Sequence, residues 1–425
     1  MALRQRDILK PAGGATISRA GSRKLCAVPG PIPTAYHQRL RATLAADEPG
    51  LFRWYSSDAY THERAERMRL ELLRSSYRLS VESHERPHRL ARTAAERIGV
   101  TVPITLYQLS GSERNAALFF APEEAHVGLS GPLLSSLDDA ELTALFGHEL
   151  SHHLLWTLDD GEYRVASELL EATAARGDAP PSFVESALRA RRWTEVFADR
   201  GAAIACGSID PVVGLLVKIS TGLSHVSAKD YLAQAREVVD KLGTERRDTE
   251  THPEHAIRAL ALEQWSTDRA QADVNVAPWI EGSVTLETLD VVGQHALAER
   301  TSALLSRVLA PAWMRTDATL VHANRFFPEW SPTDAQQKFD GARSTSVDEY
   351  FAYVLLDFAV VDPALGEVAL AHVLKTATDL ELRDAIGPLA RKELKLTASA
   401  LDKLEARAAD LALAAEKARA EEGAS

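Results

Sequence analysis

The residues of this chain that point most directly to chemistry form an H-E-x-x-H motif at positions 148–152. On a helix, His148 and His152 lie on one face, so both imidazole rings can bind one metal ion. Glu149 follows the first histidine and can act as a general base on a metal-bound water. This spacing therefore predicts a catalytic metal site. His153 points to another face and is expected to be a partly exposed helix residue.

The surrounding sequence predicts the helix that this motif needs. Asp138 and Glu141 have the spacing of a helix N-cap and its capping partner. The apolar residues that follow, such as Leu145, continue one face at helical spacing and would anchor it in a core. Gly147 is a poor helix former, which is understandable if another segment crosses closely there. A buried helix with hydrogen-bonded histidines is the alternative, and two histidines flanking a glutamate favour the metal site.

A catalytic zinc site usually has three protein ligands and one open position. The best candidate for the third ligand is Glu195. Glu195 and Asp199 lie at i and i+4 of a predicted helix and share a face. Asp199 could accept a hydrogen bond from the free ring N–H of one ligand histidine and fix its tautomer. A surface ion pair of Glu195 with Arg191 or Arg192 is the alternative. The competing carboxylates, expected on a solvated surface, are Glu168, Glu171 and Glu185.

With these two motifs in order, the chain resembles the zinc metallopeptidases of the HtpX and CAAX prenyl protease type, within the gluzincins. The resemblance covers about residues 86 to 262. It implies that His148, His152 and Glu195 bind one zinc ion per chain, and that Glu149 activates the water. It also implies a zincin-type fold and protein or peptide substrates.

Two flanking segments add to the resemblance. Residues 115–118, Asn-Ala-Ala-Leu, partly match an N-A-F-A segment that precedes the active-site helix in the family. Residues 251–260, Thr-His-Pro-Glu-His-Ala-Ile-Arg-Ala-Leu, resemble its T-H-P…R-I segment. By resemblance, His252 would help stabilise the oxyanion, and Arg258 would orient the site or hold the fold. His252 is alternatively a turn residue before Pro253.

The chain departs from this family in its hydropathy, because those relatives are usually embedded in membranes. It has no run of about 20 apolar residues, and its longest largely apolar stretch, residues 350–374, carries three acidic side chains. A soluble protein without a transmembrane segment is therefore expected. The net charge of −12 argues against nucleic-acid binding. Two cysteines in unrelated contexts favour a reducing compartment, and we expect a cytoplasmic location.

These patterns predict a mostly helical α+β fold, with a small antiparallel sheet in the catalytic domain and an all-helical C-terminal domain. The predicted segments are a flexible basic tail at 1–35, a helical N-terminal extension at 36–85, the metallopeptidase domain at 86–262, a connector at 263–285 and the helical domain at 286–425. Residues 353–367 loosely resemble a TerB-like module, which can carry an acidic metal site; a plain helical domain is the alternative. The C-terminal helices could bind a partner or a second copy.

A strand near residues 125–130 is expected to border the active site. If it forms a sheet edge, a peptide substrate can add to it as another strand. The residues predicted to line that edge are Ala125, Val127 and Leu129.

Together these features predict a zinc-dependent endopeptidase. Its activity is expected to be restrained by the N-terminal segment or by a polar insertion at residues 157–182. The alternative is a non-catalytic binding or regulatory protein that uses the metallopeptidase fold as a scaffold, with the C-terminal helices gripping a partner. The intact Glu149 argues against that alternative, because a scaffold needs no general base.

Overall fold

The computed structural model describes residues 30–242, 254–331, 339–341 and 343–422. The first 29 residues of the predicted basic tail therefore lie outside the described part. The first described helices are α1 (Ala35–Asp47), α2 (Pro49–Tyr55) and α3 (Asp58–Ser75), which lie in the segment predicted as a helical N-terminal extension.

A four-stranded sheet follows, with α4 (Glu85–Ile98) between its first two strands. Its strands are β1 (Ser76–Arg78), β2 (Ile104–Leu109), β3 (Asn115–Ala121) and β4 (Glu124–Ser130). The strand order is β1-β2-β4-β3. β1 and β3 pair antiparallel with their neighbours, but β2 and β4 pair parallel. The prediction of an antiparallel sheet is therefore wrong for the central pair. The physical reason is that β3 lies at the edge of the sheet and runs opposite to β4. The chain reverses direction between these two strands, so β4 lies beside β2 and runs in the same direction.

Eight helices, α5 to α12, build the body around the sheet. They are α5 (Leu133–Ser136), α6 (Asp139–Thr157), α7 (Glu162–Ala174), α8 (Pro181–Cys206), α9 (Asp210–Thr221), α10 (Ala228–Leu242), α11 (His255–Thr267) and α12 (Ala272–Glu281). A 3-10 turn at Leu158–Gly161 joins α6 to α7.

The remaining helices form a region with its own apolar core. They are α13 (Val291–Val308), α14 (Asp317–Phe326), α15 (Thr345–Val360), α16 (Gly366–Asp379), α17 (Arg383–Leu394), α18 (Ala398–Ala406) and α19 (Ala408–Glu422). Their core is a cluster of buried residues between Leu304 and Leu401, distinct from the cluster that joins the sheet to α4 and α6. The prediction of a mostly helical α+β fold with a helical C-terminal region is confirmed.

The two long helices α6 and α8 pack closely, and small residues permit that contact. A Cβ on Gly147 would lie 2.5 Å from the Ala205 Cβ, so the close crossing expected at this glycine is present. A Cβ on Gly201 would lie 2.8 Å from the Ser151 Cβ, which is tighter than ordinary contact. Because Gly147 and Ser151 directly precede His148 and His152 on α6, these contacts help to set how near the histidines come to the carboxylates of α8.

The N-terminal extension braces the back of the two long helices. A Cβ on Gly30 would meet the Ile98 carbonyl and the Leu154 side chain. The α1 helix contacts α7, α8 and α13. His37 on α1 is buried and lies 3.1 Å, through Nε2, from the Thr194 Oγ1 on α8. The extension therefore supports α8 from the side away from the sheet.

Candidate metal centre and active site

The active-site helix α6 is built as its sequence predicts. The Asp138 side chain accepts a hydrogen bond from the Glu141 backbone N–H at 2.9 Å, and the Glu141 carboxylate accepts one from the Asp138 backbone N–H at 3.1 Å. The helix is buried along most of its length, and Leu142, Leu145 and Leu150 belong to the main core. Rigid packing therefore holds the helix that carries the H-E-x-x-H motif.

Three predicted ligands meet at one point. The Nε2 atoms of His148 and His152 are 3.3 Å apart. The Glu195 carboxylate lies 3.5 Å from the His148 Nε2 and 3.8 Å from the His152 Nε2. Within the described residues, this is the one group of three histidine, cysteine or acidic side chains whose ligand atoms all lie within 4.8 Å. The structure thus brings Glu195 on α8 to the two histidines on α6, which precede it by 43 and 47 residues in the sequence.

The donor set fits a divalent metal. The His148 Nδ1 lies 2.9 Å from the Asp199 Oδ1, so its N–H donates to that carboxylate and leaves the Nε2 lone pair facing the shared point. Burial works against a charged His148 ring, but Asp199 and Glu195 outweigh it and raise its pKa to about 10. Burial and then the neighbouring His148 lower the pKa of His152 to about 4. Two imidazole nitrogens and one carboxylate gathered at one point match the ligand preference of zinc.

A buried arginine holds the carboxylates. Arg258 donates two hydrogen bonds to Asp199, at 2.7 Å from Nε and 2.6 Å from Nη2. Its Nη1 also lies 3.0 Å from the Glu195 Oε2. Burial opposes the ionised form of Asp199, but Arg258 and His148 lower the pKa of that carboxyl. The arginine therefore keeps Asp199 ionised and fixes the orientation of both carboxylates.

Glu149 lies beside the ligands with a perturbed carboxyl group. Burial raises its pKa to about 7, while the charges of His148 and Arg258 and the Leu118 backbone N–H act against that rise. The Leu118 N–H belongs to β3 and donates to the Glu149 carboxylate. A carboxyl group that titrates near neutral pH can both accept and return a proton.

An open cleft of about 630 Å³ leads to this group. The first four residues of β3, at positions 115–118, form one wall. Leu145 and the α9 residues Leu215 and Leu216 form an apolar end, and Ser167 and Glu171 of α7 lie at the other end. The cleft therefore runs along α6, with the ligand histidines in its floor.

The structure corrects the predicted substrate edge. Ala125, Val127 and Leu129 lie on β4, which is paired on both sides and fully buried. The open edge next to the cleft is β3, whose side away from β4 is unpaired within the sheet. Periodicity could not distinguish the two strands, because both are apolar. The sequence feature that could have identified β3 as a strand is the run of alanine and aromatic residues just before Pro122 and Glu123.

Other predicted positions have mixed outcomes. His153 is buried, with its Nε2 3.0 Å from the Ala121 carbonyl oxygen, so its predicted exposure is wrong. His252 lies outside the described residues, while His255 at the start of α11 lines the cleft. The competing carboxylates form ion pairs: Glu168 pairs with Arg64 and Arg164, Glu171 with Arg191, and Glu185 with Arg189.

The acidic residues of the TerB-like segment do not form a metal site in the described part of the chain. The His322 Nε2 lies 3.5 Å from the Asp357 Oδ2, and the Asp362 side chain accepts from the Ala364 backbone N–H at 3.0 Å. Asp357, Asp362 and Glu367 are not gathered around one point. Within the described residues, no helix is both long and apolar enough to cross a membrane.

A helical α+β protein that presents H-E-x-x-H and a glutamate from a second helix to one point has the architecture of a metallopeptidase. Residues 82–175 match the model of peptidase family M48. The chain is 26% identical over 217 residues to the plastoglobule-localized metallopeptidase 48, chloroplastic, of Arabidopsis thaliana. That match covers 47% of this chain and 62% of the relative. Over residues 82–175 the chain is therefore similar to peptidase family M48, in line with the resemblance that its motifs carry.

Proposed function

We propose that this chain is a zinc-dependent endopeptidase that hydrolyses peptide bonds of protein substrates. The observation that carries the proposal is the meeting of His148, His152 and Glu195 at one point beside the buried carboxyl of Glu149. The chain spans 62% of the length of the relative it matches, so substrate and activity are argued from the site itself.

One zinc ion per chain would be held by His148, His152 and Glu195. When bound, zinc would polarise the scissile carbonyl and lower the pKa of a water molecule. Asp199 and Arg258 act through the ligands: Asp199 fixes the His148 tautomer, and Arg258 holds Glu195 and Asp199 in place. These two residues are therefore positioning residues.

Glu149 is the proposed general base. Its carboxylate would take a proton from the attacking water and return it to the leaving amine. Its pKa of about 7 suits both transfers, because burial keeps the protonated form accessible at neutral pH. His252 is proposed to share the oxyanion charge, and this role rests on the resemblance of its segment to the family motif.

The β3 edge is the proposed binding site for the substrate backbone. Along a strand, successive residues direct their backbone N–H and C=O groups to alternate sides. On β3, the Leu118 N–H points away from β4 and into the cleft. The backbone groups of Ala116 and Phe120, two residues to either side, have the same orientation as those of Leu118. An extended peptide could pair with them and place its scissile bond above Glu149.

Restraint of the activity is proposed to come from within the chain, and the cleft lining favours the insertion at 157–182 over the N-terminal segment as its source. No described residue between 30 and 85 lines the cleft. The predicted polar insertion at 157–182 is largely the helix α7, whose Leu169 and Leu170 are buried. Because Ser167 and Glu171 border the cleft, α7 is the flanking element placed to limit access.

The scaffold alternative is weaker, because the base, the ligands and their supporting carboxylate are all in place. The cytoplasmic location stays a prediction, since the name of the relative places that protein in chloroplast plastoglobules. A partner for the C-terminal helices also stays a prediction.

The proposal is tested by casein cleavage with wild type, Glu149→Gln and Glu96→Gln. Glu96 is an exposed residue of α4, so its variant controls for the loss of one carboxylate. We expect Glu149→Gln to keep its metal and to lose at least about a hundredfold in cleavage rate. Glu96→Gln should match wild type. Full activity in Glu149→Gln would reject Glu149 as the base, and no cleavage by wild type would reject the peptidase proposal.

A further inference from the structure

A second cavity of about 480 Å³ adjoins the active-site cleft. Trp156, one turn beyond His152 on α6, lines both spaces. Its ring centroid lies 6.1 Å from that of His152 and 5.6 Å from that of Phe120, with Phe120 packed edge-on against it. Trp156 therefore forms the partition between the metal centre and this second cavity, which we call the distal cavity.

The strand β3 runs from one space into the other. Residues 115–118 line the active-site cleft, whereas Phe120 lines the distal cavity. Two residues of a strand span about 7 Å, and the outward backbone groups of Leu118 and Phe120 point the same way. A peptide paired with the first part of the β3 edge is thus directed into the distal cavity if it continues along the strand.

The outer wall of the distal cavity comes from the N-terminal extension. Ser56 ends α2, and His62, Ala65 and Arg69 follow on α3. Asp160 and Gly161, which join α6 to α7, close another side with left-handed backbone at φ 55° and 83°. The N-terminal extension thus builds one wall of a second space beside the active site.

The two arginines of this wall are held by carboxylate partners. Arg69 pairs with Glu66 at 2.7 Å and also with Glu124. Arg164 pairs with Glu168 at 2.9 Å and lies over the Phe120 ring, 5.8 Å from its centroid. Because both guanidinium groups are already neutralised, the wall offers little attraction to an acidic side chain.

The apolar surface of the cavity comes from Phe120, Pro122 and Trp156, and Glu123 and Asp160 also line it. Aromatic rings at the end of a strand edge suit an apolar side chain carried by an extended peptide. An apolar side chain buried there would add to the backbone pairing along β3.

We propose that the distal cavity is a substrate subsite for an apolar side chain, about two to four residues from the scissile bond on one side of it. The inference rests on the proposed function, because it extends the same peptide-binding edge. It makes the substrate an extended segment that is recognised beyond its cleaved bond.

The test measures kcat/KM of the full chain for a series of quenched fluorescent peptides. A core peptide spans the metal cleft alone. Further peptides carry three extra residues at either the amino or the carboxyl end, with Leu, Asp or Lys at the outer positions. We expect one end only to respond, with the leucine extension raising kcat/KM about tenfold over the core peptide. The acidic and basic extensions should gain less.

The variant Ser56→Trp places a bulky side chain in the cavity wall, and Ser75→Trp is its matched control. Both serines are exposed and donate a 2.8 Å hydrogen bond to the carbonyl four residues earlier, but Ser75 does not line the cavity. In Ser56→Trp, kcat/KM for the leucine-extended peptide should fall to about the value for the core peptide. Ser75→Trp should keep the wild-type ratio of these two values.

The outcomes separate this inference from the proposed function. Cleavage of the core peptide without a gain at either end, or with equal gains at both ends, overturns the distal subsite and leaves the peptidase intact. A gain that survives in a folded Ser56→Trp also overturns it. Absence of cleavage of every peptide by wild type removes both proposals. The wild-type length series decides the matter even if Ser56→Trp fails to fold.

Discussion

Replacing Gly201 with alanine should disturb the metal centre through helix packing alone. The new Cβ would lie 2.8 Å from the Ser151 Cβ, where ordinary contact begins at 3.4 Å, and it would also collide with the Ser151 hydroxyl. That hydroxyl donates to the Gly147 carbonyl at 2.6 Å, which restrains the rotamers it can adopt. Either α6 and α8 separate by about 0.6 Å or local strain remains.

The magnitude follows from two opposing effects. Overpacking a close helix contact costs about 1–3 kcal/mol, while alanine gains about 1 kcal/mol over glycine in a helix interior. The net loss is then about 0–2 kcal/mol, which would lower Tm by up to a few degrees. Because Glu195 lies on α8 and both ligand histidines on α6, the separation should weaken zinc binding about tenfold, as do changes that displace ligand supports.

The assay is a zinc competition titration with a chromophoric chelator, together with thermal unfolding of the metal-free chain. Gly177→Ala is the control, because a Cβ there would meet nothing within 4 Å. The double variant Gly201→Ala with Ser151→Gly should bind zinc more tightly than Gly201→Ala alone, since the obstructing side chain is gone. Unchanged zinc affinity and Tm in Gly201→Ala would refute the claim that this crossing sets the ligand distances.

Three further predictions address the support, the substrate edge and the pH response. Asp199→Ala should weaken zinc binding about 10–100-fold in the same titration, because His148 loses its tautomer-fixing acceptor; wild-type affinity would contradict this role. Ala116→Pro removes an outward N–H of β3 and should raise KM several-fold with metal content unchanged, so an unaltered KM would count against pairing at that edge. Burial lowers the pKa of His37 to about 3, below its ordinary 6.5, so the unfolded chain binds a proton that the folded chain cannot. Stability should therefore fall as pH drops from about 6.5 towards 3, by about 2 kcal/mol at pH 5 from this group. Tm measured at pH 8 and pH 5 should show a smaller acid-induced fall in His37→Gln than in wild type, and equal falls would exclude this contribution.

Much of the candidate site could be predicted, because its ligands lie at fixed helical spacings. His148 and His152 are one turn apart on α6, and Glu195 and Asp199 are one turn apart on α8. The cap at Asp138 also follows from local hydrogen bonding. Such features depend on residues within a few positions of one another, which a sequence displays directly.

The parts that sequence reasoning missed depend on long-range pairing. Nothing local shows that β4 pairs with β2 on one side and β3 on the other, so the open edge was assigned to the wrong strand. The burial of His153 depends on the Ala121 carbonyl, 32 positions away. The contact of Gly201 with Ser151 is equally invisible until the helices cross.

The central claim is that one zinc held by His148, His152 and Glu195 is required for peptide cleavage. The most direct test removes all metal with a chelator, returns zinc in measured steps, and records bound zinc and casein cleavage on the same samples. We predict cleavage that rises in proportion to bound zinc and reaches its maximum at one zinc per chain. Cleavage by the metal-free chain, or zinc binding that restores no cleavage, would contradict the account.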